Sequence, residues 1–284
     1  MNLLRHIEAC NNADASIFLR FDVAGTPVGH VTEAMANSLS PWPDYFEFGD
    51  RRVSFRCGSA TFSERNRIFS EILESLVERG VITHLHGEQY PATAGRRDEA
   101  VMLIDRAAAP YFGIRAFGQH VNGYVRDDGE LKMWIGRRAL DRRNFPGKLD
   151  NIAAGGLPCG IPLHENLLKE CWEEAGIPAQ LAATAVPTGT VTYNAVGMTG
   201  LKPDTLYCYD LELPGEFVPR CTDGEVEGFF LWSMDQLMDA LRREGEFKLN
   251  CNLVIIDFLI RHGSIGPGHE EYLDLVTGLH PTLI

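Results

Sequence analysis

Gly155-Gly156-Leu157-Pro158-Cys159-Gly160-Ile161, followed eight residues on by Lys169-Glu170-Cys171-Trp172-Glu173-Glu174-Ala175-Gly176-Ile177, decides how this chain is read. The first segment is a glycine-rich loop. The second reads as a short helix carrying three carboxylates and ending at Gly176. Glu170, Glu173 and Glu174 stand at i, i+3 and i+4, which at about 100° per residue places them in one stripe. Like charges at that spacing repel, so helix stability alone does not favour the arrangement. A hard divalent cation removes the conflict: Mg2+ takes oxygen ligands, uses few carboxylates and shares its sphere with substrate phosphates. A solvated charged face would account for the carboxylates, but not for a double glycine upstream and a helix-ending glycine as one unit.

These residues resemble the Nudix box, the diphosphate-hydrolase signature G-x5-E-x7-R-E-U-x-E-E-x-G-U with U aliphatic. Gly155 matches its glycine, Glu170, Glu173, Glu174 and Gly176 match its helix, and Ile177 is the final aliphatic residue. Two positions depart: Ile161 stands where the first glutamate belongs, and Lys169 where arginine belongs.

Further motifs extend the resemblance over nearly the whole chain. They are His120-Val121-Asn122-Gly123-Tyr124, residues 145–151 (Phe-Pro-Gly-Lys-Leu-Asp-Asn), Asp223-Gly224-Glu225-Val226-Glu227 and residues 247–252 (Phe-Lys-Leu-Asn-Cys-Asn). Glu64-Arg65 and Gly87-Glu88-Gln89-Tyr90 match less specifically. The chain is similar to fungal and plant Nudix proteins in which the Nudix domain follows a distinct N-terminal domain, related to one found beside thiamine pyrophosphokinase in some yeasts. The resemblance implies an α/β fold of the α+β kind: a Nudix α/β/α sandwich with a mixed sheet, preceded by a smaller α+β domain. It also implies Mg2+-dependent hydrolysis of thiamine diphosphate, preferentially of its damaged oxo and oxy forms, to monophosphate and orthophosphate. In that branch Gly-Ile tends to stand at the first box glutamate, which makes Ile161 a branch trait.

Composition bounds the reading. The chain has 284 residues and a net charge of −13, so a nucleic-acid backbone or an anionic membrane is a poor partner. The partner expected is a small diphosphate, with a homodimer left open. The seven cysteines are scattered and form no C-x-x-C, which suggests reduced thiols and a cytoplasmic location. No signal peptide opens the chain, and its longest apolar run, near 253–260, is too short to span a bilayer.

Patterning gives the elements. In the first half, strands are expected over 16–23, 45–48, 53–55 and 100–104, and helices over 31–39 and 62–79, the latter with a Thr61/Glu64 capping box. Residues 106–110 read as a linker, dividing a domain 1–110, for substrate recognition or structure, from a Nudix domain 111–284. In the second half, strands are expected over 114–125 and 131–138, joined at Asp127-Asp128-Gly129, and over 190–196, 205–213 and 226–232. Helices are expected over 163–175, 233–243 and 249–262.

For the chemistry, Glu170 and Glu174, one turn apart, are the first-choice Mg2+ ligands, with Mn2+ as the alternative ion. Glu173 shares the site, and a Gly155 or Gly156 carbonyl completes it. Lys169 orients the carboxylates more loosely than a guanidinium fork would. Arg137, Arg138, Arg142 and Lys148 are candidates for the substrate phosphates. Glu225 and Glu227 are candidate bases outside the box, and Trp42, Tyr45, Trp134, Tyr193 and Phe230 offer rings for stacking. Two readings stay open beside the thiamine one: a hydrolase of a nucleoside diphosphate derivative such as ADP-ribose, and a catalytically silent ligand-binding module.

Overall fold

The structure, a computed structural model, describes residues 2–284. The chain begins with α1 (Leu4–Cys10), β1 (Leu19–Val23), β2 (Thr26–Val31), α2 (Glu33–Leu39), β3 (Phe46–Gly49), β4 (Arg52–Phe55), α3 (Phe62–Glu78), β5 (Gln89–Ala92) and β6 (Met102–Asp105). It continues with β7 (Phe117–Asp127), β8 (Glu130–Arg138), β9 (Leu149–Asp150), β10 (Ala153–Gly156), α4 (Leu163–Ala175), α5 (Ala179–Ala182), β11 (Val186–Gly197), β12 (Gly200–Glu212), β13 (Val226–Ser233), α6 (Met234–Arg242), α7 (Cys251–Arg261) and α8 (Tyr272–Gly278).

Capping and periodicity explain the N-terminal half. Thr61 and Glu64 close the expected capping box on α3, whose Phe69, Ile72, Leu73 and Leu76 are buried. They pack with Phe21, Phe55 and Phe112 against a four-stranded sheet of order β2-β1-β4-β3, in which β1 and β4 run parallel. β5 and β6 form a separate antiparallel pair.

The second half is an α/β/α sandwich. Its sheet runs β11-β12-β7-β8-β13, with β9 on β8 and β10 on β7, and is mixed because β12 and β7 are parallel. At the β7–β8 turn both Asp128 (φ 48°) and Gly129 (φ 85°) are left-handed, as a two-residue primed turn demands. Alternation then sends Met133 and Ile135 into the core under α1, α6 and α7, and Trp134 into the core under α4. All seven cysteines are free of disulfides. Among the described residues no helix is long and apolar enough to cross a membrane.

Several expectations shift. Residues 16–17 belong to a short 3-10 turn (Ala15–Ile17) capped by Asp14, so the first strand starts only at Leu19. Residues 106–110 are not a flexible linker: Ala108 and Ala109 are buried, with Phe112 and Ile114, in the N-terminal core. Conversely, Leu3, Ile7 and Cys10 of the N-terminal helix lie in the core beneath α7. Chain from each side of the 110/111 division therefore packs into the core of the other side. α1, β5 and α8 carry too little periodicity in four to seven residues to be read from the sequence.

Candidate functional site

The site is built on α4. Gly176 ends this helix in the left-handed region (φ 62°), and the Gly176 and Ile177 N–H groups close its last turn on Trp172 and Cys171. Leu167, Cys171, Ala175 and Ile177 are buried against the sheet, and that apolar face fixes the rotation of the helix. Glu170 thereby points at β10 and Glu174 behind it. Glu173 lies about 60° to one side of Glu170 and Glu174 about 40° to the other. The three carboxylates therefore do not share one environment, as a single stripe had implied. Glu174 is 5% exposed, while Glu173 lies at the surface and takes the Lys169 ammonium at 2.7 Å. Lys169 also reaches Glu170 at 3.2 Å, so it bridges two box carboxylates.

Gly155 serves Glu170 by lacking a side chain. A Cβ there would lie 2.1 Å from the Glu170 carboxyl carbon. Gly155 is paired to Gln119 in the sheet, so its backbone is part of β10 and not of a free loop. Glu174 accepts a hydrogen bond from the Ala154 N–H at 2.8 Å. Burial raises the pKa of both acids. Asp150 and Glu170 push Glu174 further up, to well above the carboxylate range. Two carboxylates are thus sequestered with less positive charge than they need, which is the condition a divalent cation satisfies. The ligand atoms of Glu170, Glu173 and Glu174 do not all come within 4.8 Å of one another.

The loop between β10 and α4 is held by the N-terminal half. The Cys159 N–H donates to the Gln89 carbonyl at 2.8 Å, and Arg97 donates to the carbonyls of Pro158 (2.8 Å) and Ile161 (2.6 Å). The residue at the first-glutamate position therefore contributes its backbone to a contact between the two halves. Beside it, a Cβ on Gly156 would lie 2.1 Å from the Tyr90 hydroxyl and 3.2 Å from the Arg106 guanidinium carbon. Arg106 pairs with Glu88 at 2.8 Å. Sequence reasoning passed over Arg97 and Arg106; the one available signal was the weak match at residues 87–90.

The expected basic residues are largely committed elsewhere. Arg138 is buried against Asp150 at 3.0 Å, and Lys148 donates to the Gly245 carbonyl. Arg137 lies 5.3 Å over the Phe230 ring and donates to the Gly147 carbonyl at 3.0 Å. Arg142 pairs with Glu225 at 2.7 Å. Spacing alone gave no sign of these partners, of which Gly245, Phe230 and Glu225 come from distant parts of the chain. Glu225 does lie near the carboxylates, because residues 220–222 bond the last carbonyls of α4, and its charge helps raise Glu170. Glu227 is exposed at a groove of about 440 Å3 that also borders Trp134, Arg220, Cys221 and Phe229. The buried Trp134 Nε1 has no hydrogen-bond partner. Tyr193 is a core residue donating to Asp204 at 2.7 Å, and Trp42 packs beneath Arg79.

A second cluster, His120, Asp150 and Cys251, brings its ligand atoms within 4.8 Å on the opposite face of the sheet. Burial holds the His120 pKa at about 4. Burial alone would raise Asp150, but Lys248 at 3.1 Å and Arg138 hold it at about 2. Two cations already balance this carboxylate, so the cluster is a closed ion-pair network.

Comparison with known proteins bears on the fold and the family. The family model described as the NUDIX domain matches residues 117–252, and one described as a domain of unknown function (DUF4743) matches residues 2–116. Nudix hydrolase 20, chloroplastic, of Arabidopsis thaliana is 39% identical over 280 residues, covering 95% of this chain and 75% of that protein. Nudix hydrolase 24, chloroplastic, of the same plant is 41% identical over 276 residues, covering 96% and 76%. An uncharacterized Saccharomyces cerevisiae protein is 33% identical over 282 residues, covering 91% and 82%.

Proposed function

The chain belongs to the Nudix hydrolase family and is a Nudix-type hydrolase of a diphosphate-containing substrate; from that premise we propose that its substrate is thiamine diphosphate or its oxo and oxy forms, cleaved with Mg2+ to monophosphate and orthophosphate. The observation that carries the metal reading is the seat of Glu170 on Gly155 with Glu174 buried behind it, both lifted in pKa by burial. Glu170 and Glu174 would hold the ion, which when bound lends positive charge to phosphate oxygens and acidifies water. Glu173 and Lys169 fix the outer edge of the site through their 2.7 Å pair. Glu225, steadied by Arg142, is the base that takes the proton of the attacking water as the P–O–P bridge breaks. The diphosphate leaves as a monophosphate and an orthophosphate.

The organic half is assigned to the N-terminal region, which meets the box loop through Gln89, Tyr90, Arg97 and Arg106. Contacts made there would set discrimination, while the carboxylates serve any diphosphate. The test is phosphate release from thiamine diphosphate, its oxo and oxy forms and ADP-ribose, with Mg2+ and with chelator. The expected order places the oxo and oxy forms first, with no turnover in chelator. Faster cleavage of ADP-ribose would overturn the substrate, and turnover of none would mark a silent ligand-binding module.

A further inference from the structure

A diphosphate and two carboxylates together bring more negative charge than one divalent ion can balance, so the site needs a cation from the protein. The four basic residues near the loop before β9 do not meet that need freely. Arg138 is buried on Asp150, Arg142 is paired with Glu225, Lys148 is turned to Gly245, and Arg137 is stacked on Phe230. Lys169 is spent on Glu170 and Glu173.

Arg106 is placed differently. It follows β6 in the N-terminal half, yet its guanidinium lies against Gly156, next to the glycine that seats Glu170. Its Nη1 holds Glu88 at 2.8 Å, its face lies 5.8 Å from the centre of the Tyr90 ring, and its side chain is still 40% exposed. Glu88 and Tyr90 thus fix the plane of the fork and leave part of it open at the mouth of the site. The Glu170 carboxylate is near enough to attract the Arg106 guanidinium. Gly156 has no side chain where one would displace both Tyr90 and Arg106. A guanidinium so held is suited to a phosphate, which it binds through two parallel N–H groups.

We propose that Arg106, supplied across the boundary by the N-terminal region and oriented by Glu88 and Tyr90, binds a phosphate group of the substrate beside Glu170. This rests on the diphosphate-hydrolase reading but not on thiamine. A chain lacking the N-terminal region would then lack a phosphate ligand as well as selectivity.

The probe is inorganic pyrophosphate, titrated calorimetrically into the full chain with and without Mg2+, alongside the unfolding midpoint of each variant. Arg106→Gln should weaken pyrophosphate at least tenfold with an unchanged midpoint. Arg96→Gln, which removes an exposed arginine of the same half paired with Asp98, should bind within threefold of the parent. Unchanged affinity in Arg106→Gln, or an equal loss in Arg96→Gln, would overturn the proposal, the latter by reducing the effect to net charge. If Arg106→Gln does not fold, Arg106→Lys decides. A single ammonium held by Glu88 has no second edge to offer, so wild-type affinity there refutes the role. Pyrophosphate binding that depends on Arg106, in a chain that cleaves no thiamine form, would sink the substrate reading and sustain this one.

Discussion

Gly155→Ala tests the architecture of the site at one methyl group. The added Cβ would stand 2.1 Å from the Glu170 carboxyl carbon and 2.4 and 2.5 Å from its oxygens, where ordinary contact begins at 3.4 Å. The backbone is extended strand without a positive φ, so alanine itself brings no strain and the whole effect falls on Glu170. The carboxylate must retreat by about 1 Å, a misplacement that costs on the order of 100-fold in rate, or about 2.7 kcal/mol of barrier. Crowding the strand against the helix should also lower stability by roughly 1–3 kcal/mol. The assay is phosphate release under saturating Mg2+ together with chemical denaturation. The Gly155→Ala/Glu170→Ala double variant removes the three atoms nearest the added Cβ, so it should regain stability while remaining inactive. Turnover within threefold of the parent in Gly155→Ala, or a double variant as unstable as the single one, would refute the reasoning.

Other expectations follow from the same geometry. Glu174→Gln keeps the shape and the acceptor for the Ala154 N–H but removes a buried charge, so turnover should fall by orders of magnitude with no loss of stability; near-parental turnover at saturating Mg2+ excludes Glu174 as a ligand. Ile161→Glu should not raise activity, because the Ile161 backbone is pinned by Arg97; a tenfold rise in phosphate release would mean that the natural site is impaired. Glu170 and Glu174 have raised pKa values in the fold, so the metal-free protein loses stability as pH climbs from the unfolded carboxylate value of about 4.3 through the folded ones. Mg2+ competes with those protons, and the Tm increment it gives should be larger at about pH 8 than at about pH 5; equal increments would place the ion elsewhere.

Much of this protein was written locally. The alternation from residue 117 to 138 with an Asp-Gly turn, the capping box at Thr61 and the helix closed by Gly176 all depend on neighbours in sequence, where hydrogen-bond geometry and side-chain period act directly. The placement of the box carboxylates on one helix was legible for the same reason, since residues three and four apart on a helix are neighbours. What the sequence could not tell was which partner each charge would find. Arg138 and Lys248 meet Asp150 from 12 and 98 positions away, and Arg142 meets Glu225 at the entrance of the neighbouring strand. The stretch 106–110 read as a linker because alanines have no pattern; packing made it core and set Arg106 beside Gly156. Local sequence determined the carboxylate helix and its glycines. Tertiary structure alone decided which of the three glutamates is buried, which cations are already neutralised, and that the N-terminal half holds the box loop, because burial and ion pairing are properties of surfaces brought together only when the chain closes.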